Sequence, residues 1–200
     1  EENFNGYFGA TETAQYGPVI AAGYSRYGIS TKADPGNYNY HGFDPRFDIT
    51  KTPNEPHRHG YVVEIDPTKP NSIPVKRTAL GRIKHENAEC VVSSGGHVVV
   101  YMGDDERGEF LYRWVSRDHY VAGADTSTLL NEGILYAAKF NDDLSGEWLA
   151  LTPETTGMSP AEIAIFTRMA ASEVGATTMD RPEWVAVNSK TTEVYCTLTN

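Results

Sequence analysis

The sequence predicts an all-β fold of antiparallel hairpins with one inserted amphipathic helix. Three observations carry this: short apolar segments from residue 60 onward, turn residues that join them in pairs, and a single stretch with helix signals. Tyr61-Val-Val-Glu-Ile-Asp-Pro67 is a strand ended by turn residues, and Pro74–Leu80 pairs with it across Thr68–Ile73. Glu89–Val92 and His97–Met102 form a hairpin around Ser93-Ser-Gly-Gly96. Phe110–Val115 alternates at period two. Ile134–Asn141 with Gly146–Leu151, and Trp184–Asn188 with Glu193–Leu198, complete the set. The helix opens on Ser159-Pro-Ala-Glu162, a capping box with proline at the first helical position. Ile163, Phe166, Met169, Ala170 and Val174 follow near helical spacing, and Gly175 is a natural stop.

Residues 1 to about 60 are rich in Gly, Asn, Tyr and Pro and read as long, ordered loop. Asn37-Tyr-Asn-Tyr-His-Gly-Phe-Asp-Pro45 has too many aromatics for a flexible linker. One strand is expected there, over Gly17–Gly23.

The hairpins repeat. Each pair is followed by a charged connector, first Lys84-His-Glu86 and later Asp180-Arg-Pro-Glu183. The two connector glutamates are separated by 97 positions, from 86 to 183. That suits two propeller blades of ~40–50 residues each, so a β-propeller is expected, with a large β-sandwich as the alternative. In a propeller the first strand of each blade lines the central channel. Connectors of successive blades therefore bring their side chains to one axis.

Composition narrows the function. Of 200 residues, 40% are hydrophobic and 22% charged, as in a globular chain. With 27 acidic against 17 basic residues the net charge is −10, which argues against a nucleic-acid partner. No apolar run approaches the ~20 residues of a membrane span. The first residues lack both a signal peptide pattern and an initiator Met, and do not read as a natural start. The two cysteines, Cys90 and Cys196, lie in strands and are expected as buried free thiols, with a disulfide left open. No Cys-x-x-Cys pattern, histidine metal box, Gly-x-Ser-x-Gly elbow or phosphate-binding P-loop is present.

The chemistry-bearing residues cluster at the connectors. Glu86 and Glu183 would repel in a channel unless they held cations, and calcium takes such oxygen ligands. Gly103-Asp-Asp-Glu-Arg107 is an acidic turn at a strand end, either a cation ligand or an ordinary polar turn. Arg181 precedes Pro182, is expected in extended backbone, and would point to the same side as Glu183. Such a guanidinium is either a plain ion-pair partner or an anion clamp beside a metal.

Six stretches, in order, are similar to the PhoX family of alkaline phosphatases. They are Glu1-Glu-Asn-Phe-Asn-Gly-Tyr-Phe8, Gly60–Pro67, Pro74–Arg82, Lys84-His-Glu86, Val100-Tyr-Met-Gly-Asp-Asp-Glu-Arg107 and Met179-Asp-Arg-Pro-Glu-Trp184. The likeness runs over nearly the whole chain, apart from the loop near Thr31–Asn54. It implies a six-bladed propeller, of which residues 1–200 would be part of a single domain, incomplete at both ends, with roughly four blades covered. It implies an enzyme hydrolysing small-molecule phosphate monoesters, exported to the periplasm or secreted. It also implies a site of Ca2+ and Fe3+, with Glu86, Asp105, Glu183 and Glu1 as metal ligands and Arg181 as the catalytic, phosphate-binding residue. The family's iron-binding cysteine is expected just before the acidic pair at the start, and neither Cys90 nor Cys196 matches it. The alternative reading is a calcium-stabilised binding or scaffolding propeller without turnover.

Overall fold

In the computed structural model, which describes residues 1–200, the chain divides into two units, Glu1–Gly60 and Tyr61–Asn200. The first unit is irregular chain around an aromatic core. Its helix α1 (Pro18–Arg26) occupies the segment expected as a strand. The β-branched Val19 and Ile20 suggested the strand, but Pro18 at the first helical position and the spacing of Ile20, Tyr24 and Tyr27 favour a helix. These three pack with Phe4, Phe8, Ala10, Ile29 and Ile49. The rest of the unit is short 3-10 turns tied by backbone pairs, such as Ala10 N to Asp34 O at 2.7 Å and Ile49 N to Gly9 O at 3.0 Å. Gly36, at φ +65°, is required: a Cβ there would sit 2.3 Å from the Phe8 carbonyl. The buried Asp48 carboxylate accepts from Thr11 Oγ1 (2.9 Å), Thr50 Oγ1 (2.6 Å) and Thr50 N (3.0 Å).

The second unit is mostly sheet, as its alternating pattern requires. In chain order the strands are β1 (Val63–Glu64), β2 (Val75–Lys76), β3 (Glu89–Val92), β4 (His97–Gly103), β5 (Arg107–Glu109), β6 (Leu111–His119), β7 (Gly133–Phe140), β8 (Gly146–Ala150), β9 (Met179–Asp180), β10 (Pro182–Val187) and β11 (Val194–Leu198). Strands β3-β4-β6-β7-β8 form a five-stranded antiparallel meander, and β1-β2, β5-β9 and β10-β11 are two-stranded pairs. None of these sheets is closed. The four expected hairpins are all present.

Period two decides what each face of the meander meets. Val98, Val100 and Met102 on β4, Tyr112 and Trp114 on β6, and Leu135 and Ala137 on β7 share one buried face. It is covered by Leu80, Ile83 and Leu151, by Ile163 of helix α3 (Pro160–Ile165) and by Ala170 and Ala171 of helix α4 (Thr167–Glu173), which follow the short helix α2 (Pro153–Thr156). Each large side chain fully buried here contributes about 1.5–3 kcal/mol of transfer free energy. On the opposite face, Leu111 and Ala138 pack with Val185 of β10, beside Tyr101, Trp148 and Cys196.

The helix expected to run unbroken from Ser159 is two helices. The capping box is as read, with Glu162 N bonded to Ser159 Oγ and Ser159 N to the Glu162 carboxylate (2.8 Å). The break falls at Phe166 (φ −109°, ψ 42°). There the Thr167 hydroxyl donates to Ile163 O (2.8 Å) and accepts from Arg82 N (2.8 Å), so a side chain competes inside the helical ladder. Gly175, at φ +75°, ends the second helix as expected.

Strand β10 is joined to β3 by side chains rather than by a backbone ladder. The Asn87 amide donates to Val185 O (2.7 Å) and accepts from Val185 N (2.9 Å). Glu89 Oε1 accepts from Val187 N (3.3 Å). Gly103, at the end of β4, lets the β10 backbone approach: a Cβ there would lie 2.3 Å from the carbonyls of Pro182 and Glu183.

Candidate active site

Two connectors and one strand end converge in the second unit. The segment Lys84–Glu86 precedes β3, the acidic turn Asp104–Glu106 follows β4, and Arg181–Glu183 opens β10. Lys84 N donates to Asp104 Oδ1 (3.1 Å) and Asp105 N donates to Lys84 O (3.1 Å), which locks the first two together.

The adjacent aspartates of the turn have opposite fates. Asp104 is fully buried and takes two hydrogen bonds from the equally buried Arg168, Nε to Oδ2 at 2.7 Å and Nη2 to Oδ1 at 2.6 Å. Glu109 and Glu106 lie 3.7 and 3.9 Å from the same guanidinium, and Lys84 pairs with Glu106. This network fixes the turn from below. It leaves Asp105 facing the other way, with a carboxylate oxygen within 4.8 Å of one on Glu86.

Arg181 closes the group. Its Nε and Nη2 donate to the two Asp105 oxygens, each at 2.9 Å, and Nη2 lies 3.2 Å from Glu183 Oε1. The hydrogen bonds to Asp105, with its charge, push the guanidinium pKa up. Glu183 Oε1 also accepts from Thr199 Oγ1 (2.5 Å). The backbone at Arg181 is left-handed, φ +49°, not extended as expected from the following proline. Proline disfavours the right-handed helical region for its predecessor, and the left-handed well is the exit taken here. The guanidinium turns toward Asp105, and its Nη1 end remains beyond the fork.

Of the expected site residues, Glu86, Asp105, Arg181 and Glu183 thus come together. Glu1 lies in the first unit, where its Oε2 accepts from Gly60 N (3.0 Å) and its Oε1 lies 3.6 Å from His59 Nδ1. Both cysteines are free; Cys90 is exposed rather than buried, and Cys196 is half-buried. Arg168 was not signalled, because an arginine within an amphipathic helix reads as its solvent face.

The donor set is hard oxygen. Asp105 and Glu183 share one guanidinium and Glu86 adds a third carboxylate beside Asp105, which leaves an excess of negative charge that suits a cation such as calcium. A thiolate-bound iron does not fit these residues. Cys196 packs beneath the meander with Val185, and burial pushes its thiol pKa up, away from the thiolate a metal needs.

The fold and site define a β-rich protein with an arginine-bearing acidic centre. The chain belongs to the alkaline phosphatase PhoX family, whose model matches residues 1–200. Among solved structures it is similar to Pseudomonas fluorescens PhoX in complex with vanadate, a transition state analogue, at 47% identity and a TM-score of 0.90. That match covers 100% of this chain and 37% of the other, so these residues span little more than a third of that relative. No curated protein matches the chain.

Proposed function

We propose that these residues form part of a metal-dependent phosphatase that hydrolyses small-molecule phosphate monoesters, and that they are part of one propeller domain. The carrying observation is Asp105, bonded through both oxygens to Arg181 and within 4.8 Å of Glu86. The vanadate held by the Pseudomonas relative supports phosphoryl transfer, since vanadate there is a transition state analogue. An exported location, periplasmic or secreted, belongs to the same proposal and rests on the resemblance alone. Glu86, Asp105 and Glu183 would hold calcium. Bound calcium supplies charge neutralisation for phosphoryl oxygens and activation of an oxygen nucleophile.

The protein's own part is positioning and charge. Arg168 and Asp104 hold the turn, the turn orients Asp105, and Asp105 orients the guanidinium of Arg181. With Nε and Nη2 engaged, the Nη1 end of Arg181 is the edge that would meet a phosphoryl oxygen. One observation favours the second reading, a calcium-stabilised propeller without turnover: the bidentate fork of Arg181 is already spent on a carboxylate. Phosphate release from a chromogenic monoester, with calcium and after chelation, separates the two in the protein carrying these residues. Turnover restored by calcium supports the phosphatase. Calcium binding without turnover supports the scaffold.

A further inference from the structure

A second cluster lies elsewhere on the same unit and goes beyond this phosphatase reading. His97 opens β4 and His119 ends β6, and the two are cross-strand partners. Their Nε2 atoms are 3.0 Å apart and their ring centroids 4.2 Å, with the planes at 84°. His97 Nδ1 stands 2.8 Å from the Ser116 carbonyl. A carbonyl only accepts, so Nδ1 carries the proton and His97 Nε2 presents a lone pair toward His119.

The strand end that brings the rings together is stapled. The register shifts between His97 and Val99. The buried Ser116 hydroxyl holds that irregularity, accepting from Val98 N (2.9 Å) and donating to Asp118 O (2.7 Å). Ser93 Oγ accepts from His97 N (3.2 Å), and Tyr120 N donates to Gly96 O (2.8 Å). Both imidazoles therefore stand on fixed backbone, and His119 is open to solvent.

We propose that His97 and His119 form a bis-imidazole site for a divalent transition cation of the Zn2+, Ni2+ or Cu2+ class. Two nitrogens bound at about 2.0–2.1 Å in neighbouring positions on one ion stand roughly 3 Å apart, the spacing found here. Imidazole selects these cations, whereas calcium takes oxygen, so the site is chemically separate from the one at Asp105. The Ser116 carbonyl is the outer partner that fixes the ligating tautomer of His97. His119 frees its Nε2 in the tautomer that carries the proton on Nδ1. Water completes the coordination, and the ion clips the start of β4 to the end of β6.

The test is calorimetric titration of Zn2+ into the full chain with calcium in excess, so that carboxylate sites are filled. One equivalent bound at micromolar zinc is expected. His119→Gln and His97→Gln should each weaken it at least about tenfold, the usual effect of losing an element of a metal site. His41→Gln should leave it unchanged. In the unsubstituted chain, Ni2+ should broaden the imidazole resonances of His97 and His119 before those of the other four histidines, a readout that needs no variant to fold. Zinc uptake unaltered by His119→Gln, no uptake at all, or nickel broadening centred on other histidines would each overturn the assignment. Because turnover is not measured, failure here leaves the phosphatase reading untouched.

Discussion

Arg168→Met tests how the acidic turn is held. The native pair is fully buried on both sides, with two hydrogen bonds of 2.7 and 2.6 Å. Removing one member of a buried pair strands the other charge, which costs about 3–5 kcal/mol. Glu109 and Glu106, at 3.7 and 3.9 Å from the same guanidinium, lose their countercharge too and push the cost to the upper end. At roughly 2–4 °C per kcal/mol for a chain of this size, the melting temperature should fall by about 6–20 °C. The double variant Arg168→Met/Asp104→Asn removes both charges and keeps an acceptor for Lys84 N. It should cost less than Arg168→Met alone, because Asp104 no longer leaves a stranded charge, although Glu109 and Glu106 still lack their countercharge. Urea melts of the parent, both single variants and the double variant give the coupling directly. Additive single effects, or an Arg168→Met cost below about 1 kcal/mol, would refute the claim that this pair supports the turn.

Four further outcomes are expected. Activity of the protein carrying these residues should be lost on chelation and restored by calcium, and Asp105→Asn should lower bound calcium in atomic absorption. Arg181→Lys should weaken turnover with metal content intact, and Arg181→Ala should reduce it by about 10²–10³-fold; an unchanged inhibition constant for inorganic phosphate would end the substrate-binding assignment. The 200-residue chain alone should self-associate in sedimentation, because Trp184, Tyr195 and Leu198 are exposed on the β10–β11 pair beside an open strand edge; a monodisperse monomer would contradict this. At Asp48, burial raises the carboxyl pKa, but hydrogen bonds from Thr50, Lys51 and Thr11 outweigh it and leave the pKa well below the usual range. A depressed folded-state pKa stabilises above the unfolded value of about 3.9 and that contribution is lost as pH falls below it. Asp48→Asn should therefore flatten the acid limb of the first unit's stability curve, read by hydrogen exchange.

The hairpins were legible because each signal is local: alternation marks the faces and Gly, Asn, Asp or Ser marks the turn. The first unit shows where locality misleads. Val19 and Ile20 favour a strand, yet the spacing of Ile20, Tyr24 and Tyr27 gives one face to an aromatic core, and packing prevailed. The split at Phe166 depends on Arg82, far back in sequence, donating to Thr167. Within the site, charged connectors at strand ends pointed to Glu86, Arg181 and Glu183, whereas Asp105 was singled out only through the resemblance to the PhoX family. The division of labour between Asp104 and Asp105 was not readable, since both are acidic and only Arg168 distinguishes them. Nor could the left-handed turn at Arg181 be foreseen from a residue that precedes proline.

The Asn87 amide gives the site its gauge. A carboxamide carries both a donor and an acceptor group, so it bonds the N–H and the C=O of Val185 as a neighbouring strand would, though without a strand's length. Glu86 is the residue before Asn87, and Glu183 lies two before Val185. The span between these carboxylates is thus set by the Asn87 amide, with Glu89 holding Val187 N further along, rather than by a ladder of backbone bonds. Exchanging Asn87 for Asp would remove the donor and set a negative oxygen against the Val185 carbonyl. The seam would widen, and the site would lose its width while every strand kept its own pairing.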